Sequence, residues 1–231
     1  MPALFIDSCS QIKKILESTN SLPPHNWLIS YLECYDTEGW DGCEKWGRES
    51  LLLTDEELKK DVYLRDMQFI WAVFSAVPSE YGEDDLRSYG LPQIENPYYM
   101  GNHIVPQHPL AFLEISVWDG SYTFISAHDG THLTPFCNLP YSVLDAEADN
   151  RQMNRELCRI RDILRSIAPE ASEVIANEVQ WECWHKVFRD RKKDASVQWL
   201  EQEVKRAYQT VSAAGYRFSH GRTMWDPYAQ T

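Results

Sequence analysis

Glycine, basic residues and long apolar runs are all scarce in this sequence, and each shortage closes off a class of function. Only ten of the 231 residues are glycine. None falls in a Gly-x-Gly-x-x-Gly or Walker-type loop, so ATP or dinucleotide chemistry is not expected. The six cysteines (Cys9, Cys34, Cys43, Cys137, Cys158 and Cys183) include no Cys-x-x-Cys pair. They are too few for a disulfide scaffold and read as free thiols. Nowhere do about eighteen apolar residues follow one another, so no transmembrane helix is expected. The short apolar run of Met1–Asp7 has no basic segment before it, which argues against a secretory signal and for a cytoplasmic location.

Basic residues are the most telling shortage. Residues 1–150 hold 8 Lys and Arg against 24 Asp and Glu, a balance of −16, whereas residues 151–231 hold 14 against 11, a balance of +3. The formal net charge is −13. Such a field disfavours nucleic acid and anionic membranes, which need a basic surface, and it speeds encounter with a basic protein.

Hydrophobic residues make up 43% of the chain and aromatic residues 13%, enough for one sizeable core and too much for a disordered chain. We expect a single domain over 1–231, with an acidic α+β part over about 1–147 and a helical part over about 148–214. Acids and aromatics are interleaved in two places. Glu33, Asp36, Glu38, Asp41 and Glu44 alternate with Tyr31, Tyr35, Trp40 and Trp46, and Glu80, Glu83, Asp84 and Asp85 lie beside Tyr81 and Tyr89. Large aromatics with polar tips anchor interfaces. Asp36, Glu38, Trp40, Asp41, Trp46, Glu83, Asp84 and Asp85 are therefore the candidate partner-binding residues. The competing reading makes these aromatics core and leaves the acids to solvate loops.

The pattern along the chain predicts an α+β fold: a small antiparallel sheet packed with helices, and a mainly helical C-terminal region on one face. Ser8–Glu17 reads as an amphipathic helix capped by Asp7 or Ser8 and ended by Pro23-Pro24. Residues 27–53 carry no clear period. Thr54 reads as the cap of a helix with acids in its first turn. Gln68–Val77 reads as a buried strand, with a core helix as the competing reading, and residues 79–109, full of Gly and Pro, as loop. Asp119-Gly120 between two alternating runs is a hairpin signal over 113–126, and a two-residue turn would set Val117 opposite Tyr122 and Ile115 opposite Phe124. From about Asp145, apolar residues at helical spacing predict three helices. Asp145, Glu147 and Asp149 cluster where the first of them starts, a place that favours acids.

His128-Asp129-Gly130-Thr131-His132 resembles the His-x-Gly-Thr-His core of the metal-dependent cyclase and kynurenine formamidase family. That resemblance implies a divalent metal that activates water for amide hydrolysis, with His128 and His132 as ligands. The family's next Asp position holds Thr134 here, its proline falls one residue early at Pro135, and its last His position holds Asn138. Asp129, His103 or His108 would have to complete such a site. His185 lies among helical residues, and Arg189–Lys193 reads as a solvated connection. With no complete catalytic constellation and no cofactor implied, the leading expectation is a non-catalytic acidic inhibitor of a basic protein, of the bacterial immunity-protein or antitoxin type. A metal-dependent amide hydrolase on the His128–His132 loop and an oligomeric scaffold module are the alternatives.

Overall fold

The computed structural model describes residues 3–6, 12–35, 45–94, 103–118, 120–189 and 196–214, the side chains of 184–189 and 214 excepted. The chain divides into two compact units, 1–148 and 149–231. The first is built on a seven-stranded sheet: β1 (Ala3–Ile6), β2 (Asn26–Tyr35), β3 (Ser50–Thr54), β4 (Gln68–Val77), β5 (Leu113–Trp118), β6 (Tyr122–Ala127) and β7 (Val143–Asp145). Their order is β3-β2-β4-β5-β6-β1-β7, and every neighbouring pair is antiparallel. Its described helices are α1 (Ile12–Glu17), α2 (Asp55–Arg65) and α3 (Glu83–Arg87), with 3-10 helices at Ser18–Ser21 and Gly130–Phe136. Among the described residues no helix is long and apolar enough to cross a membrane.

Strand side chains alternate between faces, so the register sorts them. One face carries Leu4, Ile6, Trp27, Ile29, Leu51, Leu53, Phe74, Ile115 and Ile125, all in a single core with Ile15 and Leu16 of α1 and Leu58 and Val62 of α2. Asp55, the first residue of α2, ties this layer together. Its carboxylate accepts from the Trp27 indole (3.0 Å), the Thr19 hydroxyl (3.4 Å) and Lys59 (2.6 Å). Burial pushes that carboxyl up, but the bonds from Lys59 and Trp27 outweigh it and hold it below the ordinary range. Burial lowers the pKa of neighbouring His25, whose ring stands edge-on to Trp27 and Phe112.

The second face is also buried, which is why Gln68–Val77 reads as a nearly continuous apolar run. Here Leu28, Val77, Leu86 of α3 and Ala111 form a smaller cluster. Beside it the face turns polar: Ser30, Ser75, Glu114, Ser116 and Ser126 are each at most 1% exposed.

The second unit is helical over its described part. Ile160 and Leu164 of α4 (Ala146–Ile167), Val179 and Cys183 of α5 (Glu173–Arg189) and Leu200 and Val204 of α6 (Val197–Ala214) share one core. Arg161 is buried there and donates to Glu173 at 2.6 Å and Asn177 at 3.0 Å.

The α+β class, the Gln68–Val77 strand, the hairpin and the three C-terminal helices agree with the sequence reading. Two points are corrected. Residues 79–109 contain the short helix α3, held down by Leu86. The hairpin register is shifted by one, with Val117 opposite Thr123 and Ile115 opposite Ile125. The turn closes as Ser121 N–H donates to the Trp118 carbonyl (3.0 Å), but Trp118 pairs with Tyr122, so Ser121 is an extra residue. The expected caps Asp7 and Ser8 lie outside the described residues.

Thr54 caps α2 through a reciprocal box: its hydroxyl accepts from the Glu57 amide (3.2 Å), and the Glu57 carboxylate accepts from the Thr54 amide (2.9 Å). Thr54→Ala is expected to cost about 1 kcal/mol in chemical denaturation, and an unchanged midpoint would contradict the cap.

Candidate protein-binding surface

One end of the sheet departs from regular pairing. Between the pairs Ser30–Val73 and Glu33–Trp71, β2 contains one residue more than β4, and between Glu33–Trp71 and Cys34–Phe69 the surplus is on β4, at Ile70. These bulges twist the strands and redirect side chains. Tyr31 meets the first one with φ 50°, a left-handed conformation that costs a bulky side chain roughly 1–2 kcal/mol. Gly120, at φ 55°, docks the hairpin turn on the second bulge by donating its N–H to the Ile70 carbonyl (2.8 Å). A Cβ at Gly120 would meet the Ile70 side chain at 3.4 Å, an ordinary contact, so it is the positive φ that favours glycine.

Beyond the bulges, the second face carries a row of aromatic rings across four strands. Trp71 meets Trp118 edge-on (5.8 Å, 61°), Trp118 meets Phe124 (6.2 Å), and Phe124 meets Phe5 (5.1 Å), which also touches Tyr122 (5.4 Å). Phe5 and Phe124 are buried, while Trp71, Trp118 and Tyr122 are only half-buried. Glu33, in register with Trp71, is exposed and accepts a hydrogen bond from the Tyr35 hydroxyl (3.2 Å), which holds that phenol above its ordinary pKa. Cys34 between them points into the first-face core. Glu33 and Tyr35 therefore share the face of Trp71.

Helix α3 adds acids to the same face. Glu83 accepts from Ser50 (2.8 Å) and lies 4.0 Å from Arg87, whereas Asp84 and Asp85 are exposed. Half-exposed indoles, a solvent-facing carboxylate and two further acids on one face make a surface suited to binding a cationic protein. Comparison with protein-family models, curated proteins and solved structures returns no match.

The structure distributes the expected site residues unevenly. Asp36, Glu38, Trp40 and Asp41 lie outside the described residues. Trp46 is corrected from interface anchor to core: it is 3% exposed and packs on Phe69 at 5.7 Å in the first-face core. Glu83 is committed to Ser50 and Arg87, leaving Asp84 and Asp85 as the solvent-facing pair. Sequence reasoning missed Trp71 and Trp118 as a surface pair. No local signal marks them: the long-range pairing of β4 with β5 brings both rings to one face.

It also missed Glu114, the charge that holds this layer in place. On the central strand and fully buried, Glu114 accepts from the Ser75 hydroxyl (2.9 Å) and the backbone amides of Gln107 (2.7 Å) and His108 (2.9 Å). The His108 ring, 1% exposed, has one nitrogen at the Leu86 carbonyl (3.1 Å), while the other accepts from the Leu110 amide (3.3 Å). Glu147 accepts from the Ile104 amide (2.9 Å), and the Ser30 hydroxyl donates to the Pro92 carbonyl (2.7 Å). Ser30, Glu114 and Glu147 thus each satisfy a backbone group of the irregular segments beside this face, while Ser75 supports the Glu114 carboxylate.

The His128–His132 loop has a local structural role. Asp129 caps the 3-10 helix Gly130–Phe136 by accepting from the Thr131 amide (2.9 Å), a bond that also holds its carboxyl below the ordinary range. The His132 ring lies 5.0 Å from that of Phe112, and His128 is exposed. His108 is committed elsewhere, and His103 stands 3.6 Å from Glu147. Among the described residues no group of three or more His, Cys, Asp or Glu is placed to hold a metal. At the start of α4, Asp145 caps the helix through the Ala148 amide (2.9 Å).

Burial pushes the Glu114 carboxyl up to about 7, against the pull of the His108 and Gln107 amides and the Ser75 hydroxyl. The unfolded chain releases this proton near 4.5 and the folded chain near 7, so stability falls as pH rises through that window and is level above it. Glu114→Gln removes the titration. Its unfolding free energy relative to the natural chain is expected to rise by about 3 kcal/mol from the acid to the neutral end of that window. Denaturation midpoints that stay parallel across the range would contradict this.

Proposed function

We propose that this chain is a non-catalytic binding protein that neutralises a basic protein partner, in the manner of a bacterial immunity protein or antitoxin. The observation that carries the reading is the cross-strand register of exposed Glu33 with half-exposed Trp71, whose ring meets that of Trp118, at the bulged end of the sheet, on the face that also bears Asp84 and Asp85. The indoles supply contact area with little side-chain entropy to lose, and the carboxylates steer a cationic surface toward them. The −16 balance of residues 1–150 extends that attraction beyond contact range.

The test is capture from an extract of the source cell at low salt, followed by release at high salt and association kinetics with the released protein. A basic protein is expected. Reversing Glu33, Asp84 and Asp85 together to Lys is expected to slow association about tenfold or more, with a smaller effect on dissociation. Capture that is indifferent to the triple reversal would overturn the assignment of this surface.

A further inference from the structure

We infer that Trp71, Trp118 and Glu33 together form a receiving slot for a single arginine side chain of the partner, an inference that rests on the binding reading above. The two indoles stand at 61° to each other, 5.8 Å apart, and Trp71 is in cross-strand register with Glu33. An indole face carries negative potential and attracts a cation laid over it. A guanidinium is planar enough to stack there and can donate two hydrogen bonds to a carboxylate at its edge, whereas an ammonium is a strongly hydrated point charge that does neither as well.

Two features leave Glu33 open to a partner's cation. Glu83 and Glu49 both lie against Arg87, at 4.0 Å and 2.6 Å, whereas no described lysine or arginine pairs with Glu33. Its described partner is the Tyr35 hydroxyl, which holds one carboxylate oxygen and leaves the other for a guanidinium. The slot also stands on irregular backbone, where one bulge on each strand and the left-handed Tyr31 set the direction of the neighbouring side chains. Strain of this kind persists where the surroundings over-determine it, and it clusters at binding sites.

The test uses the full chain with hexa-arginine and hexa-lysine peptides as probes, at low salt, by calorimetry. Hexa-arginine is expected to bind several-fold more tightly than hexa-lysine. Trp71→Ala and Glu33→Gln are each expected to weaken hexa-arginine about fivefold or more while changing hexa-lysine little. Because Glu33 is exposed, Glu33→Gln carries the test if Trp71→Ala proves unstable. Asp84→Asn with Asp85→Asn is expected to weaken both peptides alike. Equal affinity for the two peptides with no response to Glu33→Gln would overturn the slot and leave the acidic surface standing. No binding of either peptide would overturn the slot and the binding reading together.

Discussion

The carboxylate of Glu114 is the point on which the second face of this molecule depends. It sits on β5, the middle strand of seven, with no solvent contact, and it accepts hydrogen bonds from a neighbouring strand and from two successive amides of the segment laid across it. Burying a carboxyl is costly, and these bonds offset only part of the cost, supplied by Ser75 and by backbone that forms no sheet of its own. Each side thus supplies what the other lacks. The irregular segment would otherwise bury orphaned amides, and the glutamate would otherwise be an unpaired charge in the core.

That arrangement has a consequence for the surface. Ser30 holds Pro92, Glu147 holds Ile104 and Glu114 holds Gln107 and His108, so described backbone lies against the middle of the second face. Among the described residues of the aromatic row, Trp71, Trp118 and Tyr122 are half-exposed toward the bulged end. The acids of α3 are held on the same face because Leu86 packs on Leu28 and Val77, and because the Leu86 carbonyl meets the His108 ring. The surface proposed for binding is therefore the rim of a face whose interior is occupied by the chain itself. Its negative charge is carried by side chains whose positions that interior fixes.

Elements governed by local rules were legible in the sequence. The capping box at Thr54, the strand Gln68–Val77, the Asp-Gly hairpin and the three C-terminal helices all follow from residue pattern alone, as does the α+β class. The hairpin register was not legible, because the Gly120 amide is drawn to the carbonyl of a bulge on β4, a contact that local turn rules do not contain. Glu114 was hidden for a similar reason. Between Leu113 and Ile115 it reads as the solvent side of an alternating strand, and only the burial of the second face turns it inward. Small serines inside apolar runs, such as Ser75 and Ser126, were the trace of that second layer. Trp46 misled because acids surround it in sequence, while its ring packs on Phe69 in the core.

Amide hydrogen exchange at Gln107 and His108 tests this account most directly. If the carboxylate of Glu114 holds their N–H groups in a closed interior, both amides exchange as slowly as those of β4 and β5, although they belong to no strand or helix, and Glu114→Ala releases them selectively. Exchange of these two amides at the rate of exposed loop residues in the natural chain would contradict it.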